Sequence, residues 1–116
     1  MTLQKAIATA NEFRPNTIRD EIKADWLQNL EGDVAEMMEV TPPTFNYPDD
    51  AELLMPSPHE YIYVYYLCAL IAQANEESAL YANDMTVAQS AISEARAWWR
   101  RHHRPDESNN YVRGLW

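Results

Sequence analysis

A short uncharged stretch in the middle of the chain most restricts how it can fold. The twelve residues from Tyr61 to Ala72 carry no charge and include four tyrosines. The stretch is shorter than the roughly 20 apolar residues that a transmembrane helix needs. A helix that is apolar on all sides must be covered on more than one side. In a chain of 116 residues, we expect part of that cover to come from another protein, which favours assembly over catalysis.

The residues just before this stretch predict where its helix starts. Ser57 can cap a helix with its hydroxyl, and Pro58 suits the first helical position because its missing N–H is not needed there. Glu60 can reach back and close a capping box. The sequence therefore predicts a helix from 58 to about 82.

Composition and periodicity predict an all-α fold. The chain has only two glycines, which leaves few places for the tight turns of β-hairpins. Its seven prolines lie outside the predicted helix interiors. We predict one small single-domain bundle of about four helices, with a long Pro-rich loop between the second and third helices. The predicted helices cover 2–13, 17–39, 58–82 and 84–103, the loop covers 40–57, the helical domain covers 1–105, and a flexible C-terminal tail covers 106–116.

Two of the predicted helices have a defined apolar face. In the second helix, which Asn16 or Thr17 would cap, the face consists of Ile22, Trp26, Leu30, Val34 and Met37. Gly32 in this helix costs about 1 kcal/mol relative to Ala, and we expect it to allow the close approach of a neighbouring helix. In the last helix the face consists of Ala88, Ala91, Ile92, Ala95, Trp98 and Trp99.

Charge is distributed unevenly along the chain. The net charge is −9, with −8 in residues 1–60, −3 in residues 61–93 and +2 in residues 94–116. General DNA binders instead present a basic face. An acidic body with a basic end suits a protein that meets a partner at one end and repels polyanions elsewhere.

The cysteine content and the N-terminal segment predict a cytoplasmic protein without a membrane anchor. Cys68 is the only cysteine, so no intrachain disulfide can form. The apolar part of residues 5–10 is shorter than the 7–15 residues of a signal peptide, and an amphipathic helix explains it better.

The sequence indicates no enzyme, no metal site and no cofactor. No nucleophile–base arrangement and no glycine-rich phosphate loop is present. His102 and His103 are adjacent on a helix, so their side chains point about 100° apart and cannot chelate one metal together.

Several blocks of residues together resemble a known family. In order along the chain they are Trp26-Leu27-Gln28-Asn29-Leu30-Glu31-Gly32, Leu53-Leu54-Met55-Pro56-Ser57-Pro58, Tyr63-Val64-Tyr65-Tyr66-Leu67-Cys68-Ala69-Leu70-Ile71, Tyr81-Ala82-Asn83-Asp84-Met85 and Trp98-Trp99-Arg100-Arg101-His102-His103-Arg104-Pro105. This set resembles the head–tail connector (head-completion) proteins of tailed bacteriophages and prophages over roughly residues 3–105.

The resemblance implies a structural role. Such connectors are small helical adaptors that form a ring, usually dodecameric, beneath the portal protein of a filled capsid. They extend the DNA channel, through which DNA passes without specific binding, and they offer a docking surface for the tail or a second adaptor protein. The resemblance implies no catalytic residues. It places the protein at the head–tail junction of the virion, and in the host bacterial cytoplasm during assembly.

Two groups of residues are candidates for the subunit or partner interface. Tyr61, Tyr63 and Tyr65 combine a large apolar ring with a polar tip, so both an interface and the core fit them. A basic group near the end of the last helix fits either contact with an acidic partner or charge that complements the helix dipole. This basic group consists of Arg96, Arg100, Arg101 and Arg104.

The loop and the tail supply the remaining candidates. Asp49, Asp50 and Glu52 form either a solubilising turn or the lining of the DNA channel, where carboxylates would repel phosphates. The tail carries apolar residues on a polar segment, which fits either a frayed terminus or an anchor that orders on docking. The tail residues are Tyr111, Val112, Leu115 and Trp116.

A small nucleic-acid-binding or DNA-packaging accessory protein is the alternative function. It would use the basic end of the last helix. A phosphate binder loses affinity steeply as salt rises, whereas a ring held by tyrosines and tryptophans does not. Salt dependence therefore separates the two functions.

Overall fold

Residues 1–103 form a bundle of four helices, as the sequence predicts. The computed structural model describes residues 1–103, and in this range it contains no strand. The helices are α1 (Leu3–Phe13), α2 (Asp20–Met38), α3 (Ile62–Ala74) and α4 (Ser78–His102). None of these helices is long and apolar enough to cross a membrane.

Helix α3 is the centre of the bundle. It contacts α1, α2 and α4, and α4 packs along most of its length. The prediction that this helix is covered on several sides is confirmed, and most of the cover comes from this chain. Eight of its thirteen residues are buried, and this accounts for the absence of charge between Tyr61 and Ala72. The buried residues are Ile62, Tyr63, Val64, Leu67, Cys68, Ala69, Ile71 and Ala72.

The predicted start of α3 is wrong. The helix begins at Ile62, and no side chain caps it. Residues 57–61 form turns, in which the His59 N–H donates to the Pro56 carbonyl oxygen (3.0 Å). Glu60 accepts a hydrogen bond from the terminal ammonium of Met1 (2.9 Å). Because its carboxylate serves this ion pair, it does not reach back to close a capping box.

The predicted end of α3 is also wrong, since a sharp turn divides the segment into two helices. Glu76 adopts a left-handed conformation with φ of 61°. The Glu77 N–H donates to the Ala72 carbonyl oxygen (3.0 Å), which closes the C-terminus of α3. The chain reverses here, and α4 folds back along α3. The predicted helix start at Asn83–Asp84 therefore lies inside α4.

Helix α2 differs from its prediction at its start and in its buried face. It begins at Asp20, and Asn16 instead accepts a hydrogen bond from the Ile18 N–H (3.0 Å). Its buried face is centred on Leu27, about a quarter turn from the predicted stripe. Two charged residues lie within that face and hide it from a search for apolar periodicity. The buried residues are Lys23, Ala24, Leu27, Leu30, Glu31, Val34 and Ala35.

Helix α1 is held by the loop that joins α2 to α3. Thr2 caps α1 by accepting a hydrogen bond from the Lys5 N–H (3.2 Å). The Leu3 N–H donates to the Ala51 carbonyl oxygen (2.7 Å), and the Leu53 N–H donates to the Met1 carbonyl oxygen (2.9 Å). The loop therefore pairs with the first residues of the chain as a short antiparallel bridge.

An ion pair joins the end of α1 to α4. The Arg14 guanidinium donates two hydrogen bonds of 2.8 Å to the Asp84 carboxylate. Asp84 is largely buried and Arg14 is about 30% exposed. Such a two-point contact fixes direction as well as distance. It therefore sets where α4 lies relative to the end of α1.

Gly32 of α2 does not mark a close contact between helices within residues 1–103. A Cβ atom at this position would have no heavy atom of a neighbouring segment within 4 Å, so the expected close approach of another helix is wrong. Gly32→Ala is expected to raise the free energy of unfolding by about 1 kcal/mol, because Ala loses less backbone entropy in a helix. Urea denaturation of both proteins would measure this change. A loss of stability would show that the Cβ meets an obstacle.

Candidate functional site

An exposed apolar surface lies on one side of α4. We call it the tyrosine flank, and define it as Phe13, Tyr61, Tyr65 and Val87, with Glu94 at its edge. Phe13 and Val87 are each 50% exposed and Tyr61 is 38% exposed. Two adjoining hollows share Tyr65: one lies beside Phe13 and Val87, and the other lies beside Tyr61 and Glu94. The flank is therefore one continuous surface built by α1, α3 and α4.

The three candidate tyrosines have different environments. The rings of Tyr61 and Tyr65 lie 6.0 Å apart and belong to the tyrosine flank. Tyr63 is fully buried. Of the two alternatives for Tyr63, the structure excludes the interface and places the residue in the core.

Tyr63 belongs to a buried polar network that joins α2, α3 and the loop. Its hydroxyl donates to Glu31 Oε1 (2.5 Å) and accepts from the Met55 N–H (2.9 Å). The other Glu31 oxygen accepts from the Leu54 N–H (2.7 Å). Burial raises the pKa of Glu31, and the two donated hydrogen bonds oppose this rise. Burial, together with the bond to Glu31, raises the pKa of Tyr63. The network holds residues 54–55 against α2 and α3.

A second apolar surface lies on the opposite side of α4. We call it the methionine cleft, and define it as Met37, Met55, Tyr66, Met85 and Ile92. It is a cavity of about 150 Å³ between α2 and α4, with α3 as its floor. Methionine side chains are flexible and fit partners of varied shape. The cleft can therefore accept an apolar side chain from outside.

Charged residues line the rim of the methionine cleft. Asp33 and Glu36 on α2 share a hollow with Arg96 and Arg100 on α4. Within residues 1–103, neither arginine lies within salt-bridge distance of a carboxylate. Two of the four candidate arginines therefore belong to the rim of this cleft.

The C-terminal end of α4 carries a cluster of aromatic rings. The rings of Trp99 and His103 are stacked, with 3.4 Å between their centroids and an angle of 12° between their planes. The ring of Trp98 lies about equally far from His59 (5.0 Å) and His102 (4.9 Å). His102 Nδ1 donates to the Trp98 carbonyl oxygen (2.8 Å), so its Nε2 is free to accept a hydrogen bond in the neutral ring. Arg101, in the same turn of α4, is exposed.

The acidic loop residues lie on the surface near α1. Asp50 accepts hydrogen bonds from the Gln4 N–H and the Ala51 N–H, both 2.9 Å long, and the bond from Gln4 lowers the pKa of Asp50. Glu52 pairs with the Met1 ammonium (2.9 Å), and Asp49 is exposed. Two of the three carboxylates thus hold α1 to the loop, while all three remain exposed to solvent.

Some candidates lie outside the described residues. These are Arg104 and the tail residues Tyr111, Val112, Leu115 and Trp116. Within residues 1–103, no group of His, Cys, Asp and Glu side chains is placed to hold a metal ion. Cys68 lies under the tyrosine flank, and burial raises the pKa of its thiol to about 11. The thiol is therefore protonated and poorly reactive at neutral pH.

Sequence reasoning did not identify several residues of these surfaces. Phe13 and Val87 were not singled out because isolated apolar residues at a surface are common. Glu31 did carry a signal, since it follows Leu27 by four positions and precedes Val34 by three. That spacing puts a carboxylate within an apolar stripe, which is a sign of a buried polar contact.

Comparisons with protein-family models, with curated proteins and with solved structures give no match to this chain. Function is therefore inferred from the two surfaces beside α4, from the charge distribution and from the family resemblance of the sequence blocks. The block at 63–71 lies within α3, and the block that begins at Trp98 covers the aromatic end of α4.

Proposed function

We propose that this chain is a structural adaptor subunit of a phage or prophage virion. Copies assemble as a ring beneath the capsid portal protein, extend the DNA channel and offer a docking surface to the tail or to a second adaptor. The protein acts at the head–tail junction and is assembled in the cytoplasm of the bacterial host. It catalyses no reaction in this role.

The observation that carries the proposal is the tyrosine flank. Tyr61, Phe13 and Val87 are each at least 38% exposed on one continuous surface. Tyrosine suits such a surface because its ring is apolar while its hydroxyl can bind water or a partner. A contiguous exposed apolar surface on a small protein indicates a contact with another protein. An adaptor needs such surfaces, because it works only through its contacts.

The charge distribution supports passage of DNA without binding. Residues 1–60 carry a net charge of −8, and Asp49, Asp50 and Glu52 are exposed on the loop. The proposal assigns these three carboxylates to the channel wall. Carboxylates repel the phosphate backbone, so DNA would move past them without adhering.

Electron microscopy of the chain mixed with its portal protein tests this function. The expected result is an additional ring of density coaxial with the portal. A matched sample with Tyr61→Ser and Val87→Ser should show less of this density, because these changes remove apolar area from the tyrosine flank. Portals that remain bare with the unmodified chain would contradict the adaptor role.

A nucleic-acid-binding role is the second candidate, and the end of α4 favours it. Trp99 and His103 stack on each other, and the exposed Arg100 and Arg101 lie between them in the sequence. Single-strand binders combine aromatic rings on which bases stack with arginines that contact the backbone. Fluorescence anisotropy with a labelled oligonucleotide tests this role. Affinity that falls steeply with salt and with Arg101→Gln would favour it over the adaptor.

A further inference from the structure

We infer that copies of this chain associate head to tail, with the tyrosine flank of one copy seated on the methionine cleft of the next. This inference rests on the proposed function and names the surfaces that would form the ring. The occupant of each surface is a second copy of this chain. The following geometry and charges support it.

The two surfaces lie on opposite sides of one helix. Ala88 and Ala95 are fully buried, which defines the side of α4 that faces the bundle. Successive residues of a helix are 100° apart around its axis. Val87 and Glu94 therefore lie on one side of the buried face of α4, and Met85 and Ile92 lie on the other. One straight helix thus presents both surfaces, and they point away from each other.

This arrangement suits a ring rather than a symmetric dimer. A two-fold dimer uses the same surface on both copies and would leave the other surface exposed. A head-to-tail contact uses two different surfaces and covers both on every subunit of a closed ring. With both surfaces covered, no subunit exposes either patch to solvent.

Shape and charge complement each other across the proposed contact. Phe13 and Val87 are each half exposed, and a cavity of about 150 Å³ lies in the methionine cleft. A cavity of this size accepts a single aromatic ring. Glu94 lies at the edge of the tyrosine flank. Arg96 and Arg100 lie on the α4 side of the cleft rim, with Asp33 and Glu36 on its α2 side, so the contact is one in which Glu94 faces the α4 side. Seating one on the other brings opposite charges together.

Cysteine cross-linking separates a head-to-tail contact from a symmetric one. Val87→Cys places a thiol at an exposed position on the flank side of α4. Gln89→Cys places a thiol at an exposed position on the cleft side. With a short bismaleimide, a mixture of the two single variants should give dimers, and the double variant should give a ladder of larger species. Each single variant alone should stay uncross-linked. The unmodified chain is the control, because its buried Cys68 is poorly reactive.

A charge exchange provides an independent test. Glu94→Arg places an arginine opposite Arg96 and Arg100, and Arg100→Glu places a carboxylate opposite Glu94. Each variant alone should self-associate at least about tenfold more weakly than the unmodified chain, because like charges meet. The mixture should associate again, since each basic edge then meets an acidic edge. Sedimentation velocity measures the association, and circular dichroism checks that both variants remain helical.

Three outcomes would overturn the inference. The first is the formation of dimers by Val87→Cys alone, which would indicate a symmetric contact. The second is the absence of any cross-linked product at any concentration. The third is the absence of recovered association in the charge-exchange mixture. Failure of the proposed function is distinguishable from these results. A chain that forms rings on portals but gives no cross-link between positions 87 and 89 keeps the adaptor role and rejects this interface. A chain that forms ladders but leaves portals bare keeps the interface and rejects the role.

Discussion

Replacing Glu31 with Ala is expected to lower the free energy of unfolding by about 2–6 kcal/mol, because it leaves one buried and one partly buried donor without a partner. These donors are the hydroxyl of Tyr63 and the N–H of Leu54, which lie 2.5 and 2.7 Å from the carboxylate oxygens. Each unsatisfied donor costs about 1–3 kcal/mol. Urea denaturation monitored by circular dichroism would measure the loss.

Glu36→Ala is the matched control for this prediction. It removes the same carboxylate from the same helix, but at an exposed position. Substitutions of this kind usually change stability by no more than about 0.5 kcal/mol. A loss below about 1 kcal/mol for Glu31→Ala would mean that water or a rearranged loop satisfies the two donors.

Replacing Leu67 with Ala is expected to cost about 2–5 kcal/mol. Leu67 lies on α3 and is fully buried in the centre of the core. Its truncation removes apolar contacts and leaves a cavity that helices on several sides cannot easily fill. Thermal or urea denaturation would give the change.

Leu70→Ala provides the comparison on the same helix. Leu70 is only partly buried, so its truncation removes less apolar surface from the core. It should therefore cost less than Leu67→Ala. Equal losses for the two variants would show that α3 is covered more evenly than the structure indicates.

The sequence allowed the helical segments and most of the core to be predicted. The low glycine content and the proline positions indicated helices, and the uncharged run at 61–72 correctly predicted the most buried helix. Six residues were assigned to the apolar face of the last helix. The structure places five of them in or against the core, whereas Trp99 stacks on His103; the five are Ala88, Ala91, Ile92, Ala95 and Trp98. Strong apolar periodicity carried these predictions.

The C-terminal ends of α1, α2 and α4 were predicted to within one residue, but the break between α3 and α4 was not predicted. Glu39 and Glu76 end α2 and α3 in left-handed conformations, with φ of 59° and 61°. Glycine usually occupies such positions and is the usual signal for a helix end. Without that signal, the residues after Ala74 read as continuing helix, because glutamate, glutamine and alanine favour helices. The break between α3 and α4 lets α4 pack back along α3, and this packing has no signal in the local sequence.

The candidate surfaces were predicted only in part. For Tyr61, Tyr63 and Tyr65 alike, the side-chain chemistry fits both the core and an interface. Burial decides between these alternatives, and it depends on how α2 and the loop pack against α3. The methionine cleft joins residues from three helices and the loop. Such a surface has no pattern along the sequence, because its residues are distant in the chain.

The contact between α1 and the middle of the chain affects how the protein emerges during synthesis. Leu3, Ala6 and Ile7 are buried, yet α1 packs mainly on α3, which ends only at Ala74. At ribosomal rates, roughly 4–15 s pass before the last residue of α3 has been added. Throughout that time the apolar side of the first helix lacks its main partner within the chain, so a nascent chain is open to capture by a chaperone.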